Sequence, residues 1–178
     1  MRHLFILLLA LFFLLPQVGR AQFVEKSTDV LCLVPSATAV VLTLVNKDEK
    51  GLKQFALSTL TSTALSYGME ACIKKERPDG DGMHSMPSTH TMIAFSGASF
   101  LQRRYGWKWG APAYAVATYV AWGRVHSKRH DVWDVLAGTA IGVGATYVFT
   151  RPFMKGTDVV ISPSVIDDAK CLSVSITF

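Results

Sequence analysis

Long apolar stretches alternate with short charged ones along this chain. Apolar residues dominate roughly 30–45, 52–73, 91–101, 111–122 and 132–149. The opening stretch and the segments "NKDEKG", "KKERPDGDGMHSMPSTH", "QRRYGWKWG" and "GRVHSKRHD" separate them and carry the turn formers and the charge. Each apolar stretch reads as a helix. The first and last are about long enough to span a bilayer; the third and fourth are short unless flanking aromatics extend them. Ser and Thr recur within 52–73, and 137–145 reads "AGTAIGVGA". Both compositions suit close helix–helix contact. The predicted fold is therefore all-α, a membrane-embedded bundle of about five to six helices.

Both ends of the chain break this pattern. The N-terminus has Arg2 and His3, an apolar run from Leu4 to Leu15, Pro16, and small residues at Gly19 and Ala21. It reads as a signal peptide over 1–21, with an uncleaved first membrane helix as the alternative. The helical domain is expected over 22–150. In the tail, 151–178, Leu172, Val174, Ile176 and Phe178 alternate with Ser173, Ser175 and Thr177. That period predicts a β-hairpin with its turn near "DDAK".

If each apolar stretch crosses once, "KKERPDGDGMHSMPSTH" and "GRVHSKRHDVW" emerge on one face. "NKDEK" and "QRRYGWKW" emerge on the other. Positive residues favour the cytoplasmic side, so the first face is expected on the periplasmic side of a bacterial inner or outer membrane. Two charged loops then meet at the mouth of the bundle.

Composition agrees. The chain has 178 residues, enough for one core, with 50% hydrophobic and 17% charged residues. Its mean hydropathy is +0.30. The net charge of +5 is spread over short loops, so no nucleic-acid partner is expected. The three cysteines, Cys32, Cys72 and Cys171, show no metal-ligand spacing.

The candidate chemistry lies in three clusters: Lys74, Lys75 and Arg77; Ser88 and His90; Arg124, His130 and Asp134. Several fixed cations aimed at one spot call for an anion, and the guanidinium fork matches phosphate. Helix N-termini after "PSTH" and around "HDVWD" add unpaired N–H donors. His130 and Asp134 are four apart and share a helix face. Asp134 accepting from Nδ1–H would leave Nε2 of His130 free as a nucleophile. His90 would then protonate the leaving oxygen and later deprotonate water.

These residues resemble the signature of the type 2 phosphatidic acid phosphatase superfamily. That signature is Lys, six residues, Arg-Pro; Pro-Ser-Gly-His; and Ser-Arg, five residues, His, three residues, Asp. The chain reads "RP" at 77–78, "PSTH" at 87–90 and "GRVHSKRHDVWD" at 123–134. The resemblance spans about 52 to 149. It implies a helical bundle and hydrolysis of a phosphomonoester or pyrophosphate without metal or other cofactor. It assigns the nucleophile to His130, its orienting carboxylate to Asp134 and the acid/base to His90. Phosphate binding falls to Arg77, Arg124 and Ser88. Three positions depart from the signature. Glu70 stands where the family has Lys, and Lys74, one turn on, is the expected substitute. Thr89 replaces Gly, and Gly123 replaces Ser.

The expected substrate is a lipid phosphate or pyrophosphate presented by the bilayer: phosphatidate, phosphatidylglycerol phosphate, a polyprenyl pyrophosphate or the phosphates of lipid A. A soluble secreted acid phosphatase of the same superfamily and a non-catalytic phosphate-binding membrane protein are the alternatives. His84 and His126 read as loop polar groups, and Trp107, Trp109 and Trp133 as interfacial anchors.

Overall fold

The computed structural model describes residues 17–80, 82–153, 158–166 and 169–177. Its helices are α1 (Gln17–Leu31), α2 (Val34–Val45), α3 (Glu49–Cys72), α4 (Thr89–Tyr105), α5 (Trp107–His126) and α6 (Val132–Phe149). The expected signal falls on residues 1–16, which lie outside the described residues, and on residues 17–21 of α1.

Helix α4 is the hub, packed against α3, α5, α6 and α2. Small residues permit this. A Cβ built on Gly138 would lie 2.4 Å from the Ser88 carbonyl oxygen, and one on Gly142 would lie 2.5 Å from that of Met92. The backbones of α4 and α6 therefore touch, and the Gly/Ala run 137–145 supplies the close approach that its composition permits.

The bundle places hydroxyls inside and large apolar side chains outside. Ser58, Ser62, Ser66, Ser96, Ser99 and Thr146 are buried, whereas Val41, Leu44, Leu57, Leu60, Leu65 and Val148 are exposed. Ser58 and Ser62 donate to Phe55 and Thr59 carbonyl oxygens on their own helix, so burial leaves those hydroxyls satisfied. An outer face this apolar suits lipid, not water. Among the described residues, two segments, Gln22–Val45 and Val132–Phe149, are long and apolar enough to cross a membrane.

Helical structure starts earlier than the hydropathy pattern suggests. Helix α1 takes in Glu25, Lys26 and Asp29, polar residues that made this stretch read as part of the opening loop. Helices α4 and α5 also extend beyond their apolar cores, through Arg103–Arg104 and Trp107–Trp109.

At the end opposite the site described below, Asp48 is the knot. Arg104 donates from Nε to Asp48 Oδ2 at 2.7 Å and from Nη2 to Oδ1, and Tyr105 donates to Oδ2 at 2.9 Å. Arg104 Nη1 also donates to the Arg151 carbonyl oxygen at 2.8 Å. Beyond it, β1 (Asp158–Ile166) and β2 (Ala169–Thr177) pair antiparallel, Asp158 opposite Thr177 and Ile166 opposite Ala169. Among the described elements these strands contact only each other. A lone two-stranded hairpin is marginal by itself, so the fold proper is the helical bundle.

Candidate active site

The α5–α6 connection is short and tightly turned. Lys128 takes a positive φ of 57°, and the main-chain N–H of His130 returns to the Arg124 carbonyl oxygen at 3.2 Å. Asp131 then caps α6. Its carboxylate accepts from the Asp134 N–H at 3.0 Å, and the Asp134 carboxylate accepts from the Asp131 N–H at 3.0 Å. This capping box bends the Asp134 side chain back toward the loop that carries His130.

The α3–α4 loop packs onto that cap. Lys75 Nζ donates to Asp131 Oδ2 and, at 2.7 Å, to Asp134 Oδ1. The Ser85 hydroxyl donates to Asp134 Oδ2. The Ser88 N–H donates to the Asp134 carbonyl oxygen at 3.0 Å. Asp134 is fully buried, and this set of donors allows its charge to be buried.

The sequence pattern led us to expect Asp134 as the acceptor for His130 Nδ1. The structure corrects this. Nδ1 lies 2.7 Å from the Ser85 carbonyl oxygen and 3.8 Å from Asp134 Oδ2. The capping box and Lys75 hold the carboxylate back, and the main chain of Ser85 takes the ring proton. The carboxylate still acts on the ring at short range, and it fixes Ser85 through the hydroxyl.

In front of His130 lies a cavity of about 340 Å³. Arg77, Arg124, Arg129, His84, His90 and His130 line it together with Glu25, Asp29 and Glu70. Three guanidiniums thus face three carboxylates. Arg124 Nη1 pairs with Asp29 at 2.6 Å, and His90 Nε2 lies 3.2 Å from the same Asp29 oxygen. Arg129 pairs with Glu25 at 3.3 Å and Asp79 at 2.9 Å. His84 lies 3.4 Å from Glu70. The Nε–H groups of Arg77 and Arg124 are buried without an acceptor among the described residues. Both residues line the cavity, where a guanidinium fork suits an oxyanion.

Burial is the main reason that the His130 imidazole is held down to about 4. The bond to Ser85 and the Asp134 charge push the other way, and Arg124 and Arg77 add to the depression. The ring is neutral at pH 7. Burial alone would lower Lys75, but its bonds to Asp131 and Asp134 raise it above its usual value. Burial alone would raise Asp131, but the Lys75 bond brings it below its usual value.

Of the residues expected from the sequence, His130, His90, Arg77 and Arg124 meet at the cavity, with Asp134 directly behind. Two do not line it. Ser88 is buried, with its hydroxyl 3.0 Å from that of Thr91. Lys74 is exposed. The expectation that Lys74 stands one turn above Glu70 assumed a continuing helix. Helix α3 ends at Cys72, and its cap Ile73 is extended (φ −109°, ψ 98°), which turns Lys74 outward and Lys75 inward. Glu70 itself does face the cavity. The sequence reading missed Ser85, Arg129, Glu25 and Asp29. Arg129 lay in plain view in "SKRHD", whereas Asp29 had no motif to mark it.

The family model of the PAP2 superfamily matches residues 49–157. The chain belongs to the PAP2 superfamily. A lipid A 4'-phosphatase of Helicobacter pylori (strain J99) is 30% identical over 161 residues, covering 84% of this chain and 80% of that protein. A lipid A 1-phosphatase of the same strain is 28% identical over 163 residues, covering 83% of each. The crystal structure of Aquifex aeolicus LpxE matches with a TM-score of 0.60 at 19% identity, over 71% of this chain and 84% of that one. That likeness is one of fold. In this PAP2 protein, the matched region begins at the first residue of α3, so α1 and α2, with Glu25 and Asp29, precede it.

Proposed function

We propose that this PAP2 protein is a membrane-embedded phosphatase that hydrolyses a lipid-borne phosphomonoester or pyrophosphate. A phosphorylated glycolipid of the lipid A kind is the first candidate substrate, because the relatives named above act on lipid A. The apolar outer face supports a substrate delivered from the bilayer. The site faces the periplasm in this reading, since Arg103, Arg104 and Lys108 lie toward the opposite end of the bundle, where positive residues mark the cytoplasmic side. The catalytic domain is 22–150.

The observation that carries the proposal is the held imidazole. With Nδ1 of His130 engaged by the Ser85 carbonyl oxygen, Nε2 is the nitrogen left to attack, and the ring is neutral and nucleophilic at working pH. The phosphate sits against Arg77, Arg124 and Arg129. Nε2 attacks phosphorus, the ester P–O bond breaks, and His90 gives its proton to the departing alkoxide. The charge that forms on His130 is stabilised by buried Asp134, 3.8 Å away. His90, now neutral, takes a proton from water as that water attacks the phosphohistidine. The P–N bond breaks, and phosphate leaves. Asp134 acts as a positioning and electrostatic group, and Lys75 and Ser85 hold it in place.

The test uses the full chain, purified in detergent, with lipid A, phosphatidate and a polyprenyl pyrophosphate. The proposal expects phosphate release from at least one of these and loss of that release in His130→Ala. Equal release by wild type and His130→Ala, or release from none of them, contradicts it.

A further inference from the structure

We propose that Asp29 is a positioning residue for proton delivery: its carboxylate holds the Nε2 side of His90 and turns the ring so that Nδ1 faces the leaving oxygen. The proposal rests on the phosphatase reading of the cavity, and it adds a residue from a helix outside the family-matched region.

Three observations carry it. First, Asp29 Oδ1 lies 3.2 Å from His90 Nε2 and 2.6 Å from Arg124 Nη1. A carboxylate on the Nε2 side leaves Nδ1 as the nitrogen available to a leaving group. Second, His90 needs such a partner. It is half-buried, and Arg124, Arg77 and Arg129 all oppose a positive charge on it. Burial first, and then Arg124, hold its proton affinity below the ordinary imidazole value, and Asp29 offsets part of that. The other carboxylates are committed elsewhere: Glu25 to Arg129, Glu70 to His84, and Asp134 to Lys75 and Ser85. Third, the helix that carries Asp29 is seated by a specific gap. A Cβ built on Gly123 would lie 2.5 Å from Thr28 Cγ2 and 3.0 Å from Val24 Cγ1. Where the family signature has Ser, this chain has Gly, and α1 rests against α5 in the space so opened.

Arg124 serves both partners. One edge, Nη1, braces Asp29, while the residue also lines the cavity that would take the phosphate. The proton passes from His90 Nδ1 to the alkoxide as the P–O bond breaks, and His90 recovers one from the attacking water.

An alkoxide leaves only with a proton, whereas p-nitrophenolate leaves without one, and the test exploits that difference. Wild type, Asp29→Asn, Asp29→Glu and Gly123→Ser are assayed in detergent on a short-chain phosphatidate and on p-nitrophenyl phosphate. A positioned general acid contributes about 10²–10⁴-fold, so loss of its positioning in Asp29→Asn is expected to lower the alkyl-to-aryl kcat ratio at least about tenfold. Asp29→Glu restores part of that ratio. Gly123→Ser, which displaces α1 without touching a charge, lowers it. An equal fall on both substrates would make Asp29 a purely structural residue and overturn the proposal. Faster turnover of both with tighter orthovanadate inhibition would also overturn it, by making Asp29 a competitor for the anion site. A wild-type protein that releases phosphate from neither substrate, nor from lipid A or a polyprenyl pyrophosphate, would remove the phosphatase reading, and this proposal with it.

Discussion

His130 points its Nδ1 at the main-chain oxygen of Ser85, 2.7 Å away, and keeps Asp134 at 3.8 Å. A backbone acceptor cannot be mutated away, so side-chain substitutions separate the orientation of the ring from its electrostatics. Ser85→Ala keeps the acceptor and removes one donor to a buried carboxylate. A lost hydrogen bond to a charged group costs about 1–3 kcal/mol. The expected outcome is a lower Tm with kcat reduced less than about tenfold. Asp134→Ala removes the partner of Lys75 and the charge behind the ring. It is expected to cost about 3–5 kcal/mol in stability and most of the activity. Thermal denaturation and phosphate release on the same preparations check both.

Lys74 and Lys75 are neighbours with opposite fates. Lys75→Met strips the counter-charge from Asp131 and buried Asp134 and is expected to destabilise by about 1–3 kcal/mol, since Lys75 itself is part-exposed. Lys74→Met changes an exposed side chain and leaves Tm and kcat where they are. A comparable activity loss in Lys74→Met would return that residue to the phosphate site.

The pH dependence follows from His130. Its folded value of about 4 lies below its ordinary 6.5, so the unfolded chain binds a proton that the folded chain does not. Stability from this group is present above pH 6.5, declines as pH falls from 6.5 to about 4, and is gone below that. Nucleophile activity, by contrast, is full down to near pH 4 and then drops tenfold per pH unit. A kcat/KM profile on enzyme shown to be folded at each pH separates the two limbs.

Glu70 sits where the superfamily signature has Lys, and it faces the cavity opposite His84. Glu70→Lys exchanges a carboxylate for a cation at a three-to-three balance of charge. It is expected to tighten inhibition by orthovanadate several-fold, on the order of 1 kcal/mol for one near-surface charge reversed. Inhibition that weakens would mean that Glu70 helps hold the anion-binding groups in place.

Two glycines of α6 make a control pair for the helix packing. Gly142 abuts the Met92 backbone, so Gly142→Ala is expected to destabilise by about 1–3 kcal/mol through overpacking. Gly144 has nothing within 4 Å, so Gly144→Ala is expected to gain about 0.5–1 kcal/mol from helix propensity. Denaturation midpoints in one detergent compare them.

The bundle and the heart of the site were legible because each left a regular trace. Apolar runs gave the helices, the Gly/Ala run marked α6 for close approach without naming its partner, and three motifs gave His130, His90, Arg77 and Arg124. What escaped was set by chain direction at element ends. The extended cap at Ile73 exchanged Lys74 for Lys75, and the capping box on Asp131 moved Asp134 off Nδ1 and left Ser85 in its place. Asp29 escaped for a different reason. Its polarity hid the helix that carries it, and only the approach of α1 to Gly123 brings it to His90.

The most direct test of the account is to find the covalent phosphate. Enzyme mixed with labelled lipid phosphate, quenched within milliseconds and mapped by mass spectrometry at alkaline pH, is predicted to carry phosphate on His130. A His90→Ala variant supplied with an activated aryl phosphate is predicted to accumulate more of it. Phosphate found on another residue, or turnover that persists in His130→Ala, would contradict the account.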